Sequence, residues 1–234
     1  MSSLERIPYD DMGTSLVGWL ARPVVSARGA VLVCPTIVNA SPPIERRAQM
    51  LADMGYIALI ADFYGEPVPS FEAAGALSQT LRADPHAYRR RLRAGLSALR
   101  ETAGKIPIAV IGYCMGGGAA LELARDSANI VAAVSFHGLL ETSLPAQPGA
   151  IKARLLVCHG DADPMVPRDH VLAFWNEMDT AGAQWHFHAY SGVKHGFTDP
   201  GSDARGLPAI AYDASADRQS WAAMLELFEE LFQA

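Results

Sequence analysis

The stretch IAVIGYCMGGGAALELA, residues 108–124, decides how the chain is read. An apolar run leads into Gly112, and a helical pattern starts directly after Cys114. The turn between them has the form G-x-C-x-G, the outline of a nucleophile elbow with cysteine in the place of the usual serine. So sharp a turn demands small residues two before and two after its centre. Gly112 and Gly116 meet that demand, and Gly117 and Gly118 let the helix pack close to neighbouring strands. Cys114 then stands at a helix N-terminus, where the dipole and free N–H groups favour a thiolate. A small buried cysteine beside a glycine turn is the competing reading, and the rest of the chain must separate the two.

Outward from the elbow, apolar runs alternate with helical patterns. GAVLVCP (29–35) and YIALIADFYG (56–65) read as strands buried on both faces. SLVGWLARP (15–23) reads as an early strand, paired antiparallel with a neighbour. IVAAVSFHG, ARLLVCHG and AQWHFHAY supply three further strands. Helices are expected in IERRAQMLADMG, ending at Gly55, in PHAYRRRLRAGLSALRETAG, ending at Gly104, after the elbow to Arg125, in PRDHVLAFWNEMDTAG and at the C-terminus. Residues 66–84 read as an excursion that carries a helix. This alternation predicts a mostly parallel central sheet with helices on both faces, in a single α/β domain over residues 1–234.

The composition narrows the function classes. A formal net charge of −6 implies no basic face for nucleic acid. The arginine run Arg89, Arg90, Arg91 and Arg93 alternates with Leu92, Leu96 and Leu99, which reads as a solvated helix face. No apolar run reaches the roughly 18 residues of a membrane span. MSSLERIPYDD is polar and unlike a signal peptide. Three cysteines, Cys34, Cys114 and Cys158, fit free thiols in a reducing compartment, with the cytoplasm as the expected location. His186 and His188 have zinc-like spacing, but no third ligand stands out and their aromatic neighbours suggest packing, so no metal is expected. The glycine run lacks the lysine of a phosphate loop.

In an open parallel sheet, ligands bind at the carboxyl ends of the strands. Cys114, His137, Asp163 and His195 all follow apolar strands and fall on that edge. Nucleophile, acid and histidine occur in the order Cys114, Asp163, His195, the order of α/β-hydrolases. Each has a physical role: His195 takes the thiol proton and later protonates the leaving group, while Asp163 fixes the imidazole tautomer. Backbone N–H groups of Met115 and Ile37 are the candidate oxyanion donors. Thr36, Tyr64, His137 and Phe197 are candidate pocket residues.

With GYCMGG, DADPMVP, KHGF, LADMGYIALIADFYG and AVSFHGLLET, the chain resembles the dienelactone hydrolase family of the α/β-hydrolase superfamily from about Gly13 onward. The resemblance implies an α/β-hydrolase fold without a large cap domain. It also implies cofactor-free hydrolysis of a small-molecule ester or lactone, and the triad Cys114, Asp163, His195. Two departures bear on the substrate. Family members carry a glutamate where Thr36 stands, which helps control cysteine ionisation. They also carry an arginine just after the catalytic histidine, where Asp199 stands here; an acid there is expected to repel an anionic lactone.

The expected protein is a cysteine-dependent hydrolase, a monomer or small homo-oligomer without cofactor, membrane or nucleic-acid partner. Two rivals use the same scaffold: a binding protein without catalysis, motivated by Thr36, and an acyltransferase to an acceptor other than water.

Overall fold

The strands that read as unbroken apolar runs form the centre of one sheet. A computed structural model describes residues 4–232. In chain order the elements are β1 (Glu5–Asp11), β2 (Thr14–Ala21), β3 (Gly29–Cys34), α1 (Pro42–Asp53), β4 (Tyr56–Ile60), α2 (Phe71–Arg82), α3 (Pro85–Ala103), β5 (Ile108–Tyr113), α4 (Met115–Arg125), β6 (Ala132–Phe136), β7 (Arg154–Gly160), α5 (Arg168–Ala181), β8 (Gln184–Tyr190) and α6 (Ala214–Leu231). The eight strands lie in the order β1-β2-β4-β3-β5-β6-β7-β8. β2 runs antiparallel to both β1 and β4, and every pairing from β4 to β8 is parallel. The 66–84 excursion carries α2, which starts at a Ser70 cap on the Ala73 N–H at 3.1 Å.

Alternation within β3 divides the core. Ala30, Leu32 and Cys34 face the layer built by α3, α4 and α5, while Val31 and Val33 face α1 and α6. The chain runs from β3 outward to β4 and returns on the other side of β3 as β5. The sheet therefore reverses its winding between β3 and β5, where Cys34 pairs with Gly112. A crevice is expected outside the carboxyl ends of such a pair of strands.

Two sequence expectations need correction. β1 was not anticipated, because its only inward residues before Asp11 are the partly buried Ile7 and Tyr9 in an otherwise polar stretch. The arginine run is ion-paired throughout and only half of it is a solvated face: Arg90 and Arg93 are exposed, while Arg89 and Arg91 turn inward. Arg91 bonds Asp11 at 2.8 Å and the Phe63 carbonyl at 2.7 Å, and Arg89 bonds Glu122 at 2.8 Å. Both arginine side chains are largely buried, since α3 lies across β1 and α4.

Candidate active site

The elbow is built by close backbone contact. A Cβ added at Gly112 would stand 1.8 Å from the Gly116 carbonyl oxygen, and one at Gly116 would stand 2.1 Å from that of Cys34. Both positions admit only glycine. Cys114, between them, has φ +57° and ψ −121°, a left-handed conformation that costs a non-glycine residue about 1–3 kcal/mol. It holds the thiol at the head of α4, clear of the strand.

Asp163 and His195 arrive from the ends of β7 and β8. His195 Nδ1 lies 2.7 Å from Asp163 Oδ2, and both side chains are nearly inaccessible. The other carboxylate oxygen, Oδ1, accepts the Met165 N–H at 2.8 Å, so Asp163 is fixed on both sides. With Nδ1–H donated to the carboxylate, Nε2 of His195 has no conventional hydrogen-bond partner. The Cys114 thiol is its neighbour, and each of the two favours the charged form of the other.

Electrostatics follow from that contact. Burial alone pushes the Cys114 thiol up, but the His195 imidazolium and the N–H groups of Met115 and Ile37 outweigh it, leaving the thiol below its ordinary value. Burial alone would lower His195; the Asp163 and Cys114 contacts raise it instead to about 10. Met115 and Ile37, the two candidate oxyanion donors, are thus both close enough to favour the thiolate.

The crevice over Cys114 is about 110 Å³. Thr36, Ile37, Tyr113, His137 and His195 line its floor, and Phe71, Met165 and Ile210 its apolar mouth. Of the four candidate pocket residues, Thr36 and His137 line this crevice, and Tyr64 and Phe197 do not. The Tyr64 hydroxyl donates to the Ile37 carbonyl at 2.9 Å, which puts its ring behind the oxyanion loop. Phe197 is fully buried against His137 and Tyr190, because the chain turns inward after Gly196.

Charge in the crevice also differs from expectation. Asp199 lines the wall but is paired with Arg205, itself a wall residue, so it does not present a bare negative charge. Arg47 also reaches the crevice, bonded to the Thr198 carbonyl at 3.0 Å and to the buried carboxylate of Asp217. Arg47 had a sequence signal: it shares a helix face with Ile44, Ala48 and Leu51. Arg205 and Thr198 had none, since their positions depend on how residues 196–213 fold back, with the His195 N–H on the Ala209 carbonyl at 3.2 Å. Among the described residues, no group of three or more His, Cys, Asp or Glu side chains is placed to hold a metal ion. No helix among them is long and apolar enough to cross a membrane.

Sheet order, elbow and the three strand-end residues define an α/β-hydrolase fold. The dienelactone hydrolase family profile matches residues 16–232, and the chain belongs to that family. Its members are carboxylic ester hydrolases, and this chain is one by class. A Bradyrhizobium protein named "probable 2-oxo-3-(5-oxofuran-2-ylidene)propanoate lactonase" is 30% identical, over 82% of this chain and 83% of its own length. A mouse carboxymethylenebutenolidase homolog is 25% identical, over 82% of each. A solved dienelactone hydrolase-like promiscuous phosphotriesterase from metagenomic libraries superposes with a TM-score of 0.91 at 34% identity, covering 99% of this chain and 100% of the other.

Proposed function

We propose that the protein hydrolyses a small, uncharged carboxylic ester or lactone through a thioester on Cys114. One observation carries the reading: the Cys114 thiol and the His195 imidazole line one crevice, and the buried Asp163 carboxylate holds His195 from behind at 2.7 Å. The thiolate attacks the carbonyl carbon, a C–S bond forms, and the carbonyl electron pair moves onto oxygen, facing Met115 and Ile37. Each such donor supplies about 3–4 kcal/mol of transition-state stabilisation. As the C–O bond breaks, the Nε2 proton of His195 passes to the leaving oxygen. Neutral His195 then takes a proton from water, whose oxygen attacks the thioester; the thiolate leaves and the acid is released. Asp163 keeps Nε2 turned to the reaction throughout.

The substrate class follows from the walls. Asp199 neutralises Arg205, so the wall offers an incoming carboxylate no unpaired cation there, and Phe71 and Met165, 54% and 44% exposed, suit an apolar substituent at the mouth. His195 lowers the Cys114 thiol below its ordinary value without a glutamate at position 36, which weighs against a scaffold that only binds. The test is hydrolysis of p-nitrophenyl acetate and of matched neutral and carboxylate-bearing lactones by wild type, Cys114→Ala and His195→Ala. A neutral phosphotriester belongs in the panel, given the described activity of the 34%-identical relative. Full activity in Cys114→Ala, or a clear preference for the carboxylate-bearing lactone, would overturn the corresponding half of the proposal.

A further inference from the structure

We propose that His137 is a positioning residue for the nucleophile: its neutral imidazole holds the Cys114 backbone and ties the elbow to the loop that carries His195. The inference rests on Cys114 being the nucleophile. His137 Nδ1 accepts the Cys114 N–H at 3.1 Å, an N–H shared with the Phe136 carbonyl, also at 3.1 Å. Because Nδ1 accepts, the ring hydrogen sits on Nε2, which donates to Thr198 Oγ1 at 2.8 Å. Thr198 lies three residues beyond His195 on the same loop, and its carbonyl is anchored by Arg47 at 3.0 Å. A continuous chain of hydrogen bonds therefore runs from the elbow backbone to the base loop and on to α1.

The backbone supports the same conclusion. His137 has φ +41°, so two adjacent strand ends, those of β5 and β6, both terminate in left-handed non-glycine residues joined by a hydrogen bond. Such strain persists only where surrounding contacts over-determine it, and it gathers at functional sites. The His137 N–H donates to the Cys158 carbonyl at 2.8 Å, and its ring stands edge-on to His195 with centroids 5.0 Å apart. The charged groups that act on the ring, His195, Arg47 and Arg205, are all cationic; Asp163, Asp217 and Asp199 are each engaged by one of these three. Burial first, then the His195 charge, holds His137 well below the ordinary histidine value, so Nδ1 stays free to accept. An apolar side chain of similar volume would fill the space, yet it would leave the Thr198 hydroxyl unpartnered and the elbow N–H with one acceptor.

The test uses His137→Leu, His137→Asn and Thr198→Val. Three readouts are needed: ester kcat and KM, the Cys114 thiol pKa from the pH dependence of iodoacetamide labelling, and the melting temperature. His137→Leu is expected to lose about 10²-fold in kcat with little change in KM, the scale of a misplaced reacting group. Its thiol pKa should rise. His137→Asn, which can accept and donate with its amide, should recover part of the loss, and Thr198→Val should move both readouts the same way by a smaller factor. Folded variants with unchanged kcat and thiol pKa, altered only in melting temperature, would overturn the proposal. If His137→Leu does not fold, Thr198→Val decides alone. Labelling reads the thiol whether or not an ester is turned over, so failure of the hydrolase reading stays distinguishable from failure of this one.

Discussion

Cys34 and Cys114 stand at the ends of neighbouring strands, and their surroundings make them different groups. Cys34 is the last residue of β3, paired across the sheet with Gly112 and wholly enclosed by apolar neighbours. Burial there pushes its thiol up to about 12, and does the same to Cys158 within β7. Cys114 lies one residue past the end of β5, in a left-handed turn, where His195 and the N–H groups of Met115 and Ile37 pull its thiol down. Both sites are desolvated; only one has partners for the charged form. Position relative to the strand end, rather than residue type, separates the two thiols.

The sharpest way to break this comparison is to exchange the roles. Cys114→Ala should lower ester kcat/KM by at least about 10⁴-fold, as loss of a nucleophile does in related triads. Cys34→Ala should leave kcat/KM unchanged and cost about 1 kcal/mol in chemical denaturation. Asp163→Asn keeps the shape but lets the imidazole adopt the wrong tautomer, and a loss of about 10³–10⁴-fold in kcat is expected. The pH profile of kcat/KM sharpens the contrast further. Its alkaline limb should fall near pH 10, where His195 loses the proton it must donate, and its acid limb below the ordinary thiol value. A bell centred on an unperturbed histidine would contradict the ion pair.

Smaller effects probe the walls. Asp199→Asn frees Arg205, and the ratio of kcat/KM for carboxylate-bearing over neutral lactones should rise about 5- to 10-fold, less at high salt. Tyr64→Phe removes the hydroxyl that holds the Ile37 carbonyl and should cost a few-fold in kcat, with KM little changed.

How far the sequence reached follows the same division. β3, β4 and β5 were legible because strands buried on both faces must be apolar throughout, and the elbow because backbone contacts leave no choice but glycine at Gly112 and Gly116. Chain order singled out Asp163 and His195, and the fold brings the two side chains within 2.7 Å of each other. β1 was not legible, since a sheet-edge strand with polar alternation resembles a tail. Nor was the Asp199–Arg205 pair. Its partners are six residues apart in a loop whose course is set by Ser202 Oγ on the Gly196 carbonyl and by the bridge between His195 and Ile210, contacts that leave no periodic trace. Tyr64 was a candidate for the crevice; a hydrogen bond to the Ile37 carbonyl turns it behind that loop.

The central claim is that Cys114 carries the acyl group. Wild-type protein mixed with p-nitrophenyl acetate, quenched in acid and digested, should yield one acetyl thioester, on the peptide that contains Cys114, with a matching burst of p-nitrophenol. Acetyl found on another residue, or an undiminished burst from Cys114→Ala, would contradict it.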